Sequence, residues 1–348
     1  AWDVTSPAYI KDDTLCIPTA FCSYTGESLD TKTPLLKAMH AVSKYGIRLL
    51  RLLGNTTSRR VLSYVGPEQE YFLIPEDLYE QRPDLKFSGR TLFGAMPPKG
   101  QEMSDQYFGD IREKVKKFMS DVDEQLWKLG ITAKTQHNEV APCQHEIAPI
   151  FSVSNVALDN NYLVMNVLKK TAKKYGLVCL LHEKPFDGIN GSGKHNNWSL
   201  TTDDGINLFK PGKEPENNKV FQLVLACLMS AVDKHAVLLR TAASNTGNDH
   251  RLGANEAPPA IISIYLGDQV GDVVDQIIKN GKATSSLHSG VIDFGINKLP
   301  VLEKDPTDRN RTSPFAFTGN RFEFRMVASS NSIGDTNTVL SAMMAEAF

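Results

Sequence analysis

Glu68 and Glu70 stand two residues apart in VLSYVGPEQEYFLI (61–74), whose β-branched and aromatic content predicts a strand. Alternation sends both carboxylates out of one face, with Gln69 and Tyr71 on the other. A second pair lies in ITAKTQHNEVAPCQHEIAPIF (131–151), which reads as two strands about a tight turn. If Pro142 and Cys143 form a two-residue turn, Ala141 faces Gln144, Val140 faces His145, and Glu139 lies opposite Glu146. Like charges across a strand pair destabilise it unless a cation lies between them or one is protonated. A third group is Asn320-Arg321-Phe322-Glu323-Phe324-Arg325, where Arg321, Glu323 and Arg325 share one face and the phenylalanines the other. The aromatic face enters a core, so the charged face meets solvent or a cleft.

The stretch KPFDGINGSGKHNNWSL (184–200) poses a separate question. From Gly188 it follows the phosphate-cradling pattern Gly-x-x-x-x-Gly-Lys, but His195 stands where a magnesium-binding hydroxyl belongs. A phosphate loop opens a helix, whose N-terminus helps to hold the anion. Here the continuation alternates like a strand, with His195, Asn197 and Ser199 on one face. Imidazole is a metal ligand, and three strands already offer carboxylates that need cations. Hard oxygens with one nitrogen point to Mg²⁺ or Mn²⁺ rather than zinc.

The elements that must position these groups are readable in outline. Residues 34–53 have helical apolar spacing, 75–104 read as loop, and 104–129 form an amphipathic helix stopped by Gly130. A helix over 156–175 closes at Gly176, 177–183 is a buried strand, and 220–239 is a buried helix. Residues 241–259 and 303–320 are long, polar and irregular, as functional loops are, and 319–327 is a strand. Interspersed helices and strands with a clear hairpin predict an α+β fold.

The 348 residues, 41% hydrophobic and 22% charged, suffice for a large core in one or two domains. A net charge of −2 gives no general pull toward nucleic acid or an anionic membrane. No apolar run is expected to approach the length needed to span a bilayer, and AWDVTSPAY carries no signal pattern. Cys16, Cys22, Cys143, Cys179 and Cys227 are scattered, so neither a disulfide framework nor a thiolate zinc site is indicated. Four of them sit among apolar neighbours and read as small core residues, and the compartment reads as cytoplasmic.

Taken together, the motifs resemble those of glutamine synthetase, most closely its long bacterial type III form, from about Ser23 to Ile333. Lys184, Pro185, Asn190, Gly191, Ser192, Gly193, His195 and Ser199 fit that family's Lys-Pro…Asn-Gly-Ser-Gly-x-His-x-x-x-Ser pattern. Gly-Pro-Glu-x-Glu (66–70), Asn-Glu-Val-Ala-Pro-Cys-Gln-His-Glu (138–146), Arg-Leu…Glu-Ala-Pro (251–258) and Arg-x-Glu-x-Arg (321–325) follow in family order. The resemblance implies a curved antiparallel sheet forming a funnel or partial barrel, backed by helices, with two Mg²⁺ or Mn²⁺ ions at its waist. It implies Glu70, Glu139 and Glu146 around one ion and Glu68, His195 and Glu323 around the other.

The implied reaction joins ammonia to L-glutamate through γ-glutamyl phosphate at the expense of ATP. By the same resemblance Asn190, Gly191, Arg251 and Arg325 hold glutamate, and Asn197, Ser199 and Arg321 lie at the nucleotide. Arg311 and Arg321 contact phosphate, and Glu256 is a flap residue that takes a proton from ammonium. Ring-type homo-oligomers go with the family. Residues 1–60 read as a segment leading into a catalytic domain at 61–348. No counterpart of the family's N-terminal β-rich domain or its C-terminal region is recognised, so the chain reads as a catalytic core. Competing readings are a ligase for another amine such as a polyamine, a P-loop NTPase and a non-catalytic assembly protein. The P-loop reading makes Lys194 essential and His195 dispensable; the ligase reading makes the reverse demand.

Overall fold

The computed structural model describes residues 1–287, 290–304 and 313–348. Among these, nine strands form one sheet: β1 (Val61–Pro75), β2 (Ala133–Asn138), β3 (Gln144–Pro149), β4 (Ser152–Val153), β5 (Leu177–Leu180), β6 (Gly193–Thr202), β7 (Ile264–Tyr265), β8 (Phe315–Phe317) and β9 (Phe322–Ala328). Their spatial order is β2-β3-β1-β6-β9-β8-β7, with β4 and β5 also paired to β1. All pairings are antiparallel except β7 with β8. The sheet is open, with β2 at one end and β7 at the other, so the α+β class holds while the strands do not close into a barrel.

Helices α1 (Lys32–Leu52), α2 (Glu113–Lys128), α3 (Ser154–Lys174), α4 (Lys219–Ala242), α5 (Gly267–Asn280) and α6 (Gly334–Ala347) supply the backing. β1 explains why the sheet has two unlike faces. Its odd-numbered residues Val61, Val65, Tyr71 and Leu73 are buried in apolar clusters, and even-numbered Glu68 and Glu70 project to the opposite side. β6 repeats this, with Trp198 and Leu200 in the core beside Phe322 and Phe324 of β9. Burial of these aromatic side chains is the main favourable contribution. The polar face can then carry charge without interrupting that core.

Several sequence expectations need correction. The stretch 75–104 holds two short helices, Glu76–Glu80 and Pro83–Ser88. The helix expected over 104–129 begins at Glu113, because Gly109 is extended after a four-residue helical turn. The irregular 241–259 segment contains a helix, Thr246–Arg251, capped by the Asn245 side chain on the Gly247 amide at 2.8 Å. α4 is long and apolar enough to cross a membrane by length and composition. Its residues Phe221, Val224, Leu225 and Leu228 nevertheless pack into the core of this fold. All five cysteines are free, and Cys22 and Cys143 are exposed, not packed like Cys179.

The hairpin register differs by two residues from the expected one. Asn138 pairs with His145 and His137 with Glu146, while the Glu139 amide donates to the Gln144 carbonyl at 2.9 Å. The loop is therefore Val140–Cys143, four residues instead of two, and Cys143 takes a left-handed φ of 63° to close it. With a side-chain period of two, a slip of two keeps every side chain on its face and changes only which residues stand opposite one another. It brings His137, not Glu139, directly across from Glu146.

Candidate active site

One cavity of about 980 Å³ opens on the polar face of the sheet. Its lining includes Glu68 and Glu70 from β1, His137 and Glu139 from β2 and its loop, and Glu146 from β3. His195 and Asn197 come from β6, and Arg321, Glu323 and Arg325 from β9 and its approach. Cross-strand pairing accounts for the convergence. Glu70 faces Glu146, Glu68 faces His195, and Glu323 faces Asn197. Five neighbouring strands, β2 included through His137, thus place their acidic and imidazole groups in one patch.

Two tight groups form within it, each with ligand atoms all within 4.8 Å of one another. In the first, His195 Nδ1 lies 2.8 Å from Glu323 Oε1 and 3.2 Å from Glu68 Oε2. In the second, His137 Nε2 lies 3.2 Å from Glu146 Oε1, and His137 Nδ1 lies 3.7 Å from Glu139 Oε1. Each group offers one imidazole nitrogen and two carboxylates, a donor set suited to Mg²⁺ or Mn²⁺. Glu70 borders both but stands outside these triads, its Oε2 accepting the Gly193 amide at 2.7 Å. His137 was missed by sequence reading, although its alternation with Glu139 on one strand was the available signal.

The electrostatics suit a cation. Burial, then Glu139, pushes Glu70 up to about 7, and burial raises Glu146 as well. Burial opposes charge on His195, but Glu323 and Glu68 outweigh it and hold the imidazole protonated well above its ordinary range. Burial likewise works against the Glu323 charge, yet His195 beside it keeps that carboxyl well below the usual range. The hydrogen bond that its imidazole donates to Glu146 lifts His137 to about 9. The two imidazoliums and Arg325 thus offset only part of the carboxylate charge gathered here.

A divalent ion must displace such a proton, because a ligating imidazole is neutral. Below pH 9, where the folded chain holds the His137 proton, each pH unit upward should strengthen binding at that triad by up to about tenfold. Mn²⁺ isotherms at pH 6.5, 7.5 and 8.5 check this. A flat pH profile would mean that His137 is not displaced.

The remaining sequence candidates are placed as follows. Arg321 Nε donates to Asn197 Oδ1 at 2.9 Å, and Asn197 Nδ2 to Glu68 Oε1 at 2.9 Å, linking the cavity rim to the first triad. Arg325 pairs with Glu323 at 3.2 Å and lies within a bulge in the β9–β6 pairing, between Phe324 and Val327. Arg251 is fully enclosed, donating to Asn248 Oδ1 at 3.0 Å and to the Arg325 carbonyl at 3.1 Å. It crosses directly behind Gly193, where a Cβ would come within 2.1 Å of its Nη2, so any side chain there would have to displace the guanidinium. Asn190, Gly191 and Ser199 do not line the cavity, nor does Glu256, which sits on an exposed turn. Arg311 lies outside the described residues.

Lys194 answers the phosphate-loop question. It is fully buried on the core face of β6, and its ammonium donates to the carbonyls of Ala328, Ser329 and, at 2.7 Å, Asn331. Burial draws its pKa down to about 7. All three of its donors are consumed by backbone, and it faces away from the cavity.

Comparison with known proteins agrees with this geometry. The family model for the glutamine synthetase catalytic domain matches residues 48–263, and that for the type III N-terminal region matches residues 1–38. The type-3 glutamine synthetase of Dictyostelium discoideum is 54% identical over 99% of this chain and 47% of its own length. The glutamine synthetase of Bacteroides fragilis is 51% identical over 99% of this chain and 48% of its own. A cryo-EM structure of Plasmodium falciparum glutamine synthetase shares the fold, with a TM-score of 0.59 at 16% identity, covering 99% of this chain and 61% of that one. This chain spans about half the length of the curated relatives it matches. With two imidazole–carboxylate triads on an open antiparallel sheet, and a match running almost end to end, the chain belongs to the glutamine synthetase family, in its type III branch.

Proposed function

We propose that this chain carries the catalytic face of an ATP-dependent ligase that joins ammonia to the side-chain carboxylate of L-glutamate through γ-glutamyl phosphate, yielding glutamine, ADP and phosphate. The observation that carries the reading is the pair of imidazole–dicarboxylate triads in one cavity beside Arg321 and Arg325. Glu68, His195 and Glu323 would hold one divalent ion, and Glu139 and Glu146, with Glu70 or His137, a second. When bound, Mg²⁺ or Mn²⁺ neutralises charge on the transferring phosphoryl group.

The chain's own residues supply the rest. Arg321, oriented by Asn197, offers its remaining donors to phosphate oxygens, and Arg325 presents a fork suited to carboxylate or phosphate. Asn190 and Gly191 are proposed at the amino-acid end of glutamate, and Asn197 with Ser199 at the nucleotide. Arg251 reaches substrate only by exchanging its bonds to Asn248 and Arg325. Glu256 is proposed to cover the intermediate and accept the ammonium proton, since γ-glutamyl phosphate must be shielded from water. Arg311 is assigned to phosphate by resemblance. A ring-type homo-oligomer and a cytoplasmic location complete the proposal.

The test is ADP release by the chain with ATP, Mg²⁺ and glutamate, with ammonium or a polyamine as acceptor. Release that needs both glutamate and ammonium is expected. Release with polyamine alone would assign a different γ-glutamyl ligase, and ATP turnover indifferent to glutamate would overturn the reading.

A further inference from the structure

We propose that the cavity between α3, β5 and the short helices Glu76–Glu80 and Pro83–Ser88 is a second binding site, which takes a monocarboxylate with an apolar body and holds its carboxylate at Lys169 and Lys173. The cavity measures about 550 Å³ and shares no lining residue with the catalytic one. That volume suits a small organic molecule. None of the residues assigned to ligase chemistry lines it.

One stripe of α3 builds the cationic wall. Met165, Lys169 and Lys173 follow at intervals of four, so they share one side of the helix, and all three line the cavity. Lys170 and Lys174, one residue further on, belong to the neighbouring stripe and are paired, with Asp12 at 2.9 Å and Asp121 at 3.5 Å. Lys169 and Lys173 have neither an ion pair nor a side-chain hydrogen bond among the described residues. Like charges one turn apart disfavour a helix, and an anion between them relieves that repulsion.

Behind the lysines the cavity is apolar. Leu85, Leu180 and Leu181 line it and are buried. Cys179 is buried beside them, and burial pushes its thiol up to about 12, so it counts as apolar surface. His182 adds one directional donor. Its Nδ1 accepts the Lys184 amide at 3.0 Å, which leaves the proton of the neutral ring on Nε2. Gly89 packs against the imidazole, where a Cβ would stand 2.6 Å from Cδ2, and so holds the ring in place.

The acidic lining selects the head group. Glu76 and Glu80 also border the cavity, and Lys86 neutralises Glu80. Glu76 has no basic partner among the described residues, so it opposes a second negative charge on the ligand. A carboxylate brings one charge, whereas a phosphate monoester brings nearly two.

Calorimetry with octanoate, octanol and inorganic phosphate tests this, on the parent chain and on the double variant Lys169→Ala/Lys173→Ala. Both lysines are exposed, so the variant should fold. Expected is one octanoate per parent chain, with a Kd below about 1 mM. The variant should bind it about tenfold more weakly. Octanol should bind the parent about tenfold more weakly than octanoate does, and should bind both chains alike. Phosphate should give no saturable heat. A parent chain that does not bind octanoate would overturn the proposal, as would a variant that binds it undiminished. Octanol matching octanoate would do the same, because the lysines would then read no charge. So would phosphate matching octanoate, because the apolar floor would then play no part.

Discussion

Replacing His195 with alanine is expected to lower ligase turnover by about 10²–10³-fold while leaving the chain folded. The imidazole stands between Glu68 and Glu323 at hydrogen-bonding distance from both. Without it two carboxylates face each other across β6, with Arg325 the cation left beside Glu323. A divalent ion then loses its nitrogen ligand and the fixed spacing of the two oxygen ligands. Core packing is spared, because the side chain leaves the face opposite Trp198 and Phe322. Mn²⁺ stoichiometry should drop by one site, with the second triad unaffected. A folded variant that keeps both sites and full turnover would show that this triad is not where the phosphoryl charge is met.

Its neighbour should behave in the opposite way. Lys194→Met keeps the length of the side chain but removes a donor shared by the carbonyls of Ala328, Ser329 and Asn331. Ala328 keeps the Asn331 amide and Ser329 keeps Gln69 Nε2, so the loss falls mainly on the Asn331 carbonyl, and about 1–3 kcal/mol of stability is expected to go. Thermal unfolding with and without nucleotide measures this. The midpoint should fall by several degrees, and nucleotide affinity at permissive temperature should stay near that of the parent. Loss of nucleotide binding at unchanged stability would restore the phosphate-loop interpretation. Adjacent residues on one strand would thus separate chemistry from support, because alternation puts one in the cavity and the other in the core.

The parts of the fold legible in the sequence were those governed by period. Glu68 and Glu70 on one face, the alternation of His195, Asn197 and Ser199, and the Arg321/Glu323/Arg325 face all follow from a repeat of two, and all are found. What escaped was governed by the loops. The four-residue Val140–Cys143 connection depends on a left-handed φ at a non-glycine residue, which no composition rule favours. Missing it shifted the register and hid His137. The β9 bulge around Arg325 is likewise invisible to a strict alternation. Arg251 looked available because a lone arginine in a polar segment usually is; its burial is set by Asn248 and by the bare backbone at Gly193, both distant in sequence or lacking a side chain.

The packing of the core face also provides an optical reporter. The chain has three tryptophans, and Trp2 and Trp127 are 62% and 60% exposed while Trp198 is fully buried. Its indole donates to Ser63 Oγ at 2.9 Å and rests on Phe209. A soluble quencher should therefore silence the first two and leave a blue-shifted residual emission from β6 alone, three residues from His195. Cation or nucleotide arriving on the other side of that strand can then be followed by fluorescence without any label.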